Sequence, residues 1–365
     1  MTLAPHRWGF VAATALVGGL TALAMTPGVS AAALSTNAAP SRVTMPRIGA
    51  SSEATVSTQR LLKYYGGTGG IGVSVMPKVY LVFWGSQWGT ATTSGANLKF
   101  ANDPDGAAPY LQNFLRGLYG SSDTWSSSTT QYCQGVAKGT TSCPKTATFV
   151  THPATSPLAG VWADTAASTP SQSTAMQLGQ EADRAAVHFG NTTPASNTSA
   201  QYVIVSPSGT HPNDFDLPGT TWCAWHDFTG AKDVAVITAR GNIAFTNLPY
   251  VTDAGSNCGA GFVNGASGRL DGWSIIAGHE YAETVTDVFP QAPIGATNLT
   301  SGGWFEPLGG ENGDKCAWIA PGQSGGVTNI RTATGTFAVQ SLWSNNDHSG
   351  HGGCVTYYAS AANQH

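Results

Sequence analysis

The apolar stretches of this chain switch between strand and helix patterns, and this alternation limits the fold more than any other feature. Runs rich in β-branched and aromatic residues predict strands at 79–84, 148–150, 202–205, 233–238 and 337–343. Apolar residues at helical spacing predict helices near 110–118, at 171–189 and at 271–287, with Asp271 as N-cap of the last. We therefore predict an α/β fold, with α+β as the alternative: a mixed β-sheet with flanking helices in one domain, residues 61–365.

The N-terminus has the parts of a secretory signal peptide, residues 1–31. A weakly basic start precedes an uncharged apolar stretch at 8–25, and small residues at 29–31 fit a cleavage site. A membrane anchor is the alternative, but a spanning helix needs about 20 predominantly apolar residues, and Pro27 ends a stretch that contains glycines and threonines. Residues 32–60 are predicted to be a flexible leader or a pro-segment. The mature chain is thus expected to be secreted and to leave the membrane after cleavage.

Charged residues are scarce, at 10% of the chain against roughly 25% in ordinary soluble domains. Abundant hydroxyl and amide side chains indicate a surface solvated without ion pairs. The formal net charge of −4 excludes the basic surface that binding to nucleic acid or to anionic lipid needs. We expect a monomer with no nucleic-acid partner.

Six cysteines lie beyond the signal peptide, and in an exported chain an even number predicts disulfides. A bond between cysteines that are nearest neighbours in the sequence closes a single loop of the chain. We predict the bonds Cys133–Cys143, Cys223–Cys258 and Cys316–Cys354. A thiolate metal site is the alternative, which the absence of any C-x-x-C spacing disfavours.

The segment 278–287 carries the clearest chemical signal. His279 and Glu283 are four residues apart, so on a helix they share a face and can bind one cation. Glu280 is turned about 100° from His279, beside such a cation, as the base is in H-E-x-x-H enzymes. The simpler interpretation is a polar stripe on a surface helix. Apolar neighbours predict a buried helix instead, where unpaired carboxylates are costly and a cation would relieve them.

A catalytic zinc usually keeps three protein ligands, so the third must come from elsewhere. Glu311, in the glycine-rich segment 309–316, is our choice. Asp314 in the same segment and Asp287 one turn along the helix remain alternatives, and Glu306 is a weaker one. Asp314 could instead cap backbone N–H groups in a turn.

Among the other histidines, His226 is predicted to face the cleft as a hydrogen-bond donor to the transition state. A purely structural role is the alternative. His211, His348 and His351 lie in polar loops and are predicted to be on the surface, where the last two could bind adventitious metal.

Four blocks of this sequence resemble the exordium, or phosphate-induced protein, family of secreted proteins and its bacterial relatives. They are the strand at 79–85, Cys-Ala-Trp-His at 223–226, His-Glu-Tyr-Ala-Glu at 279–283 with Thr-Asp at 286–287, and the block from 303 to 344 with its Glu-Asn-Gly-Asp-Lys-Cys at 311–316. The resemblance implies secretion and places the H-E-x-x-E and E-x-x-D patterns of the family on these residues. Tyr281, where an aliphatic residue is usual, and a long segment at 291–302 depart from the family pattern.

These observations together predict a secreted metal-dependent hydrolase, specifically a zinc endopeptidase with a zincin-like active-site helix and an extracellular polypeptide substrate. One divalent ion would be bound by His279, Glu283 and Glu311, and Glu280 would act as general base. Two carboxylates and a neutral imidazole cancel the charge of a divalent ion, and oxygen-rich ligation suits manganese or calcium as well as zinc. The alternative is therefore a non-enzymatic extracellular binding or signalling protein with a structural ion. A third alternative is a hydrolase without metal, in which a serine or a pair of carboxyl groups would do the chemistry.

Overall fold

The computed structural model describes residues 44–50, 60–120, 122–291, 300–306 and 310–358. The predicted signal peptide and most of the predicted leader lie outside these ranges. The strands are, in chain order, β1 (Thr44–Pro46), β2 (Lys63–Tyr64), β3 (Lys78–Trp84), β4 (Ala91–Ser94), β5 (Asn97–Phe100), β6 (Cys133–Gln134), β7 (Thr148–Phe149), β8 (Leu158–Asp164), β9 (Ala200–Val205), β10 (Trp222–Phe228), β11 (Ala244–Leu248), β12 (Trp304–Phe305), β13 (Thr328–Thr332), β14 (Gly335–Val339), β15 (Leu342–Ser344) and β16 (Gly353–Val355). The helices are α1 (Ala107–Gly117), α2 (Ala175–His188), α3 (Asp271–Thr286) and the short α4 (Asp347–Gly350).

A six-stranded mixed sheet forms the centre of the fold, in the order β1, β10, β11, β9, β3, β8. The last four are mutually parallel, whereas β10 runs antiparallel to β11, and β1 antiparallel to β10. Strands β3 and β9 are almost wholly buried, as expected for parallel strands covered on both faces. The predicted α/β fold, a mixed sheet with flanking helices, is confirmed.

Helices α2 and α3 cover opposite faces of this sheet. Neighbouring residues of a strand point to opposite faces. In β11, the Phe245 ring lies close to Gly179 of α2. The next residue, Thr246, faces α3, since its hydroxyl accepts a hydrogen bond from Gln201, which also donates to Thr284 of α3. Any side chain that shares the face of Thr246 is therefore directed toward α3.

Every residue of α3 is buried, which fits its largely apolar composition. The helix begins at Asp271 and ends at Thr286, close to the predicted bounds. Asp271 was expected as the N-cap but lies in the first turn. Its carboxylate accepts hydrogen bonds from the backbone N–H groups of Val263 and Asn264, so it fixes the preceding loop instead.

The strand predicted at 233–238 is wrong, because these residues form a loop. Ala235 has a φ of 54°, which no strand residue adopts, and Val234 is buried while Ile237 is 87% exposed. Val234 and Val236 lie against Gly179 of α2 instead. The next strand of the sheet is β11, which the sequence pattern missed because its centre carries Thr246 and Asn247.

The closing strand predicted at 337–343 is divided at Gln340 and Ser341. Strand β14 pairs with β13, and β15 pairs with β16, so both lie outside the central sheet. Both residues at the break are buried, and the side chain of Gln340 is directed at α3. The interruption thus places a polar side chain at the helix.

Part of the predicted leader is ordered in the fold. Thr44–Pro46 form the edge strand β1, and the side chain of Met45 is fully buried. Arg47 pairs with Asp216 at 2.8 Å. The backbone of residues 44–46 pairs with β10, and the N–H of Ile48 donates to the carbonyl of Asn257, so this part of the predicted leader packs on the sheet.

All three predicted disulfides are confirmed: Cys133–Cys143, Cys223–Cys258 and Cys316–Cys354, with Cα–Cα distances of 6.1, 5.6 and 5.7 Å. Such bonds are typical of oxidising compartments. None of the helices in the described part of the chain has the length and apolar character needed to cross a bilayer.

Candidate metal centre

His279 and Glu283 lie on one face of α3, as their spacing predicts. The Nε2 atom of His279 is 3.0 Å from Oε1 of Glu283. The same Nε2 atom is 3.6 Å from Oδ1 of Asp314, which comes from the loop after β12. Helix and loop thus bring one nitrogen and two carboxylate oxygens together in a group that can hold a metal ion.

The loop that carries Asp314 packs directly on these two helix residues. The backbone N–H of Asp314 donates to Oε1 of Glu283 at 2.9 Å. A Cβ atom at Gly313 would lie 2.7 Å from Nδ1 of His279 and 2.8 Å from Oε1 of Glu283, so only glycine permits this approach. The Cys316–Cys354 bond then ties the end of the loop to β16.

Gln340 determines which nitrogen of His279 faces the acids. Its amide nitrogen donates to the carbonyl of Gly313 at 2.7 Å, so its carbonyl oxygen faces Nδ1 of His279, 3.1 Å away. Nδ1 must therefore carry a hydrogen and donate it to Gln340. In the neutral ring Nε2 then presents a lone pair to two carboxylates, a repulsive arrangement unless a proton or a cation lies between them. Ring nitrogens of metal-binding histidines are typically fixed in this way.

His226 lies on the opposite side of Glu283. In β10 it pairs with Thr246, which places its side chain on the sheet face that is covered by α3. Its Nδ1 atom is 3.4 Å from Oε2 of Glu280 and 3.6 Å from Oε2 of Glu283. Its Nε2 atom is 3.7 Å from Oε2 of Glu311. Both ring nitrogens face carboxylates, which favours cation or proton binding by His226 over the predicted role as transition-state donor.

Of the loop acids left open as third ligand, Asp314 lies beside His279. Asp314 occupies the position beside His279 for which Glu311 was chosen, and Glu311 faces His226. The backbone explains this, because the N–H of Glu311 donates to Asp314 at 3.1 Å and turns the intervening loop over the helix. Asp287 follows the helix and accepts a hydrogen bond from the N–H of Gly303. Glu306 pairs with Lys315 at 3.5 Å.

The side chains of the cluster are shielded from solvent, and among the described residues several of their polar atoms have no hydrogen-bond partner. The side chains of His226, His279, Glu283 and Glu311 are 0% exposed, and that of Glu280 is 1% exposed. Among the described residues, six atoms of these five side chains have no hydrogen-bond partner: Nε2 of His226, Nε2 of His279, Oε1 of Glu280, Oε2 of Glu283 and both carboxylate oxygens of Glu311. Buried polar groups in native proteins are nearly always paired, so these atoms indicate a missing ligand.

Electrostatics also indicate a cation. Burial raises the pKa of Glu280, Glu311 and Asp314, and the charge of Glu283 raises the pKa of all three further. Burial raises the pKa of Asp287 to about 7. All these carboxylates thus resist ionisation in the metal-free protein, and a divalent ion would reverse that preference.

The histidines respond in the opposite direction. Burial lowers the pKa of His279, but the nearby charges of Glu283, Glu280 and Asp314 outweigh it and raise that pKa to about 10. Burial likewise lowers the pKa of His226, and Glu280 and Glu283 raise it to about 9. Each imidazole is therefore held beside negative charge strong enough to retain a proton, or to bind a metal ion in its place.

Sequence reasoning identified the helix residues and missed Gln340, because an amide in a strand pattern carries no chemical signal. The only hint in the sequence was that Gln340 interrupts a run of apolar residues that would otherwise continue as a strand. Comparisons of the chain with family models, with curated proteins and with solved structures give no match. The resemblance to the exordium family accordingly stays a prediction.

Proposed function

We propose that this chain is a secreted metal-dependent hydrolase, and specifically a zinc endopeptidase. The observation that supports it most is the position of Glu280. Its carboxylate lies next to the group of His279, Glu283 and Asp314 without belonging to it, and its Oε1 atom has no partner among the described residues. The three disulfides support export.

In this proposal His279, Glu283 and Asp314 hold one divalent ion. Bound there, a metal ion would polarise the scissile carbonyl and acidify water. Glu280 takes the proton of the attacking water on Oε1 and returns it to the leaving amine. Burial raises the pKa of Glu280 above that of an ordinary glutamate, which makes its carboxylate a stronger proton acceptor.

The ligand charges bear on the choice of metal. Two carboxylates neutralise a divalent ion, so water beside it is less acidic than in a site with two histidines. We therefore expect activity to rise toward alkaline pH, and we include manganese and calcium beside zinc in the test.

The experiment compares purified mature protein after chelation and after reloading with each metal, with casein or gelatin as substrate. Cleavage should vanish on chelation and return with one metal. Glu280→Gln should retain the ion on His279 and lose about 10²–10⁴-fold in rate. The matched control is Glu181→Gln, since Glu181 is a buried glutamate of α2 outside the cluster. Full activity in Glu280→Gln would exclude the mechanism.

A second candidate is an extracellular binding protein with a structural ion. The burial of the cluster favours it, because the five central side chains are at most 1% exposed. A chelator would then lower the melting temperature, and the metal-loaded protein would cleave no peptide at any pH tested. The assay above separates the two candidates.

A further inference from the structure

The donor atoms of the cluster form two groups that share Glu283. The first contains His279, Glu283 and Asp314, and the second His226, Glu280 and Glu283. The two groups use different oxygens, because Oε1 of Glu283 faces His279 at 3.0 Å and Oε2 faces His226 at 3.6 Å. A carboxylate placed in this way can bridge two ions.

Both groups have the spacing of ligands around a cation. Metal–ligand distances of about 2.0–2.1 Å in a tetrahedral site place neighbouring donors about 3.3–3.4 Å apart. In the first group Nε2 of His279 lies 3.0 and 3.6 Å from the two carboxylate oxygens. In the second, Nδ1 of His226 lies 3.4 and 3.6 Å from its two oxygens. The second group is thus as well formed as the first.

Charge balance also favours two ions. Five carboxylates lie in the cluster, apart from Glu306 with its lysine: Glu280, Glu283, Asp287, Glu311 and Asp314. Fully ionised they carry a charge of −5, which one divalent ion reduces to −3 and two ions reduce to −1. Two ions therefore leave less unbalanced charge in the cluster than one ion does. Charge left unbalanced in a buried site is costly.

We propose that the centre holds two divalent cations bridged by Glu283, one bound by His279 and Asp314 and the other by His226 and Glu280. Glu280 ligates through Oε2, which leaves the unpartnered Oε1 as proton acceptor, so its role as base is retained. The inference rests on the cation binding of the proposed function and goes beyond its single ion. It does not depend on hydrolysis.

The test uses purified mature protein that has been chelated, reloaded with Mn²⁺ and passed through gel filtration. Metal analysis should give two Mn²⁺ per chain. Paired metal ions lie about 3.5–4 Å apart, and carboxylate-bridged Mn²⁺ ions at that distance are magnetically coupled. The paramagnetic resonance spectrum should therefore lose the six-line signal of an isolated ion. One ion per chain with a six-line spectrum would overturn the proposal and would indicate a protonated His226 instead.

Variants locate the second ion. His226→Ala should keep one ion per chain and restore the six-line spectrum. The control combines His348→Ala with His351→Ala, two exposed surface histidines, and should keep both ions. Loss of an ion in that control would show that the second ion is adventitious. If two ions bind and no peptide is cleaved, the proposed hydrolase activity is excluded and the two-ion centre stands. If one ion binds and the protein is fully active, the two-ion centre is excluded and the hydrolase stands.

Discussion

Replacement of Gln340 by leucine isolates the contribution of the residue that orients His279. The buried amide bonds both Nδ1 of His279 and the carbonyl of Gly313. Gln340→Leu leaves these two groups buried without partners, at about 1–3 kcal/mol each, so stability should fall by about 2–6 kcal/mol.

Metal binding should weaken as well. Without the carbonyl oxygen of Gln340 as acceptor, the proton on Nδ1 of His279 can move to Nε2. There it forms a hydrogen bond to Glu283 and competes with the cation. Loss of such an outer partner typically costs about 10–100-fold in metal affinity. Competition titration with a chromophoric chelator measures the affinity, and thermal unfolding measures the stability.

A matched control is available in α1. Gln112 is also fully buried and also bonds backbone groups, accepting from the N–H of Leu98 and donating to its carbonyl. Gln112→Leu should cause a similar loss of stability and leave metal affinity unchanged. If Gln340→Leu is destabilised like this control but binds metal as tightly as wild type, the assigned orientation of His279 is wrong.

Three further predictions concern two of the disulfides, the protonation of His279 and the mature N-terminus. Removal of the Cys316–Cys354 bond, with a separation of 38 residues, should lower the free energy of unfolding by about 4 kcal/mol and weaken metal binding. Removal of Cys133–Cys143, with a separation of 10, should lower it by about 2.7 kcal/mol and leave metal binding unchanged. Unfolding and metal titrations measure the two effects. The raised pKa of His279, about 10, means that the proton on this ring contributes fully to the stability of the metal-free protein below pH 6.5, and that this contribution is lost as pH rises through 10. A bound cation replaces that proton, so the difference in melting temperature between loaded and chelated protein should widen from pH 7 to 10. A constant difference refutes this. Because Met45 is fully buried in β1, the mature N-terminus should lie between residues 32 and 43, and mass spectrometry that finds it near residue 60 would contradict the prediction.

The sequence predicted those features that depend on neighbours in the chain. Helix α3 has strong apolar content, and the i, i+4 spacing of His279 and Glu283 determines their common face whatever surrounds the helix. The disulfides could be predicted for the same reason, because each joins two cysteines that are nearest neighbours in the sequence.

Features that depend on the path of the backbone in space escaped prediction. Glu311 and Asp314 are both carboxylates of the same loop, and the sequence does not distinguish them as ligands. The turn that the loop makes over α3 determines which of them lies beside His279. Likewise, the place of His226 beside Glu280 requires that β10 be the antiparallel neighbour of β11, and β11 itself was hidden by its polar centre. Long-range pairing of this kind has no local sequence signal.

The most direct test of the metal centre is anomalous X-ray diffraction from crystals of the mature protein grown with zinc and measured at the zinc edge. We predict an anomalous peak about 2.0–2.2 Å from Nε2 of His279 and from carboxylate oxygens of Glu283 and Asp314. A map without a peak there, in which Nε2 of His279 donates a hydrogen bond to Glu283, would contradict it.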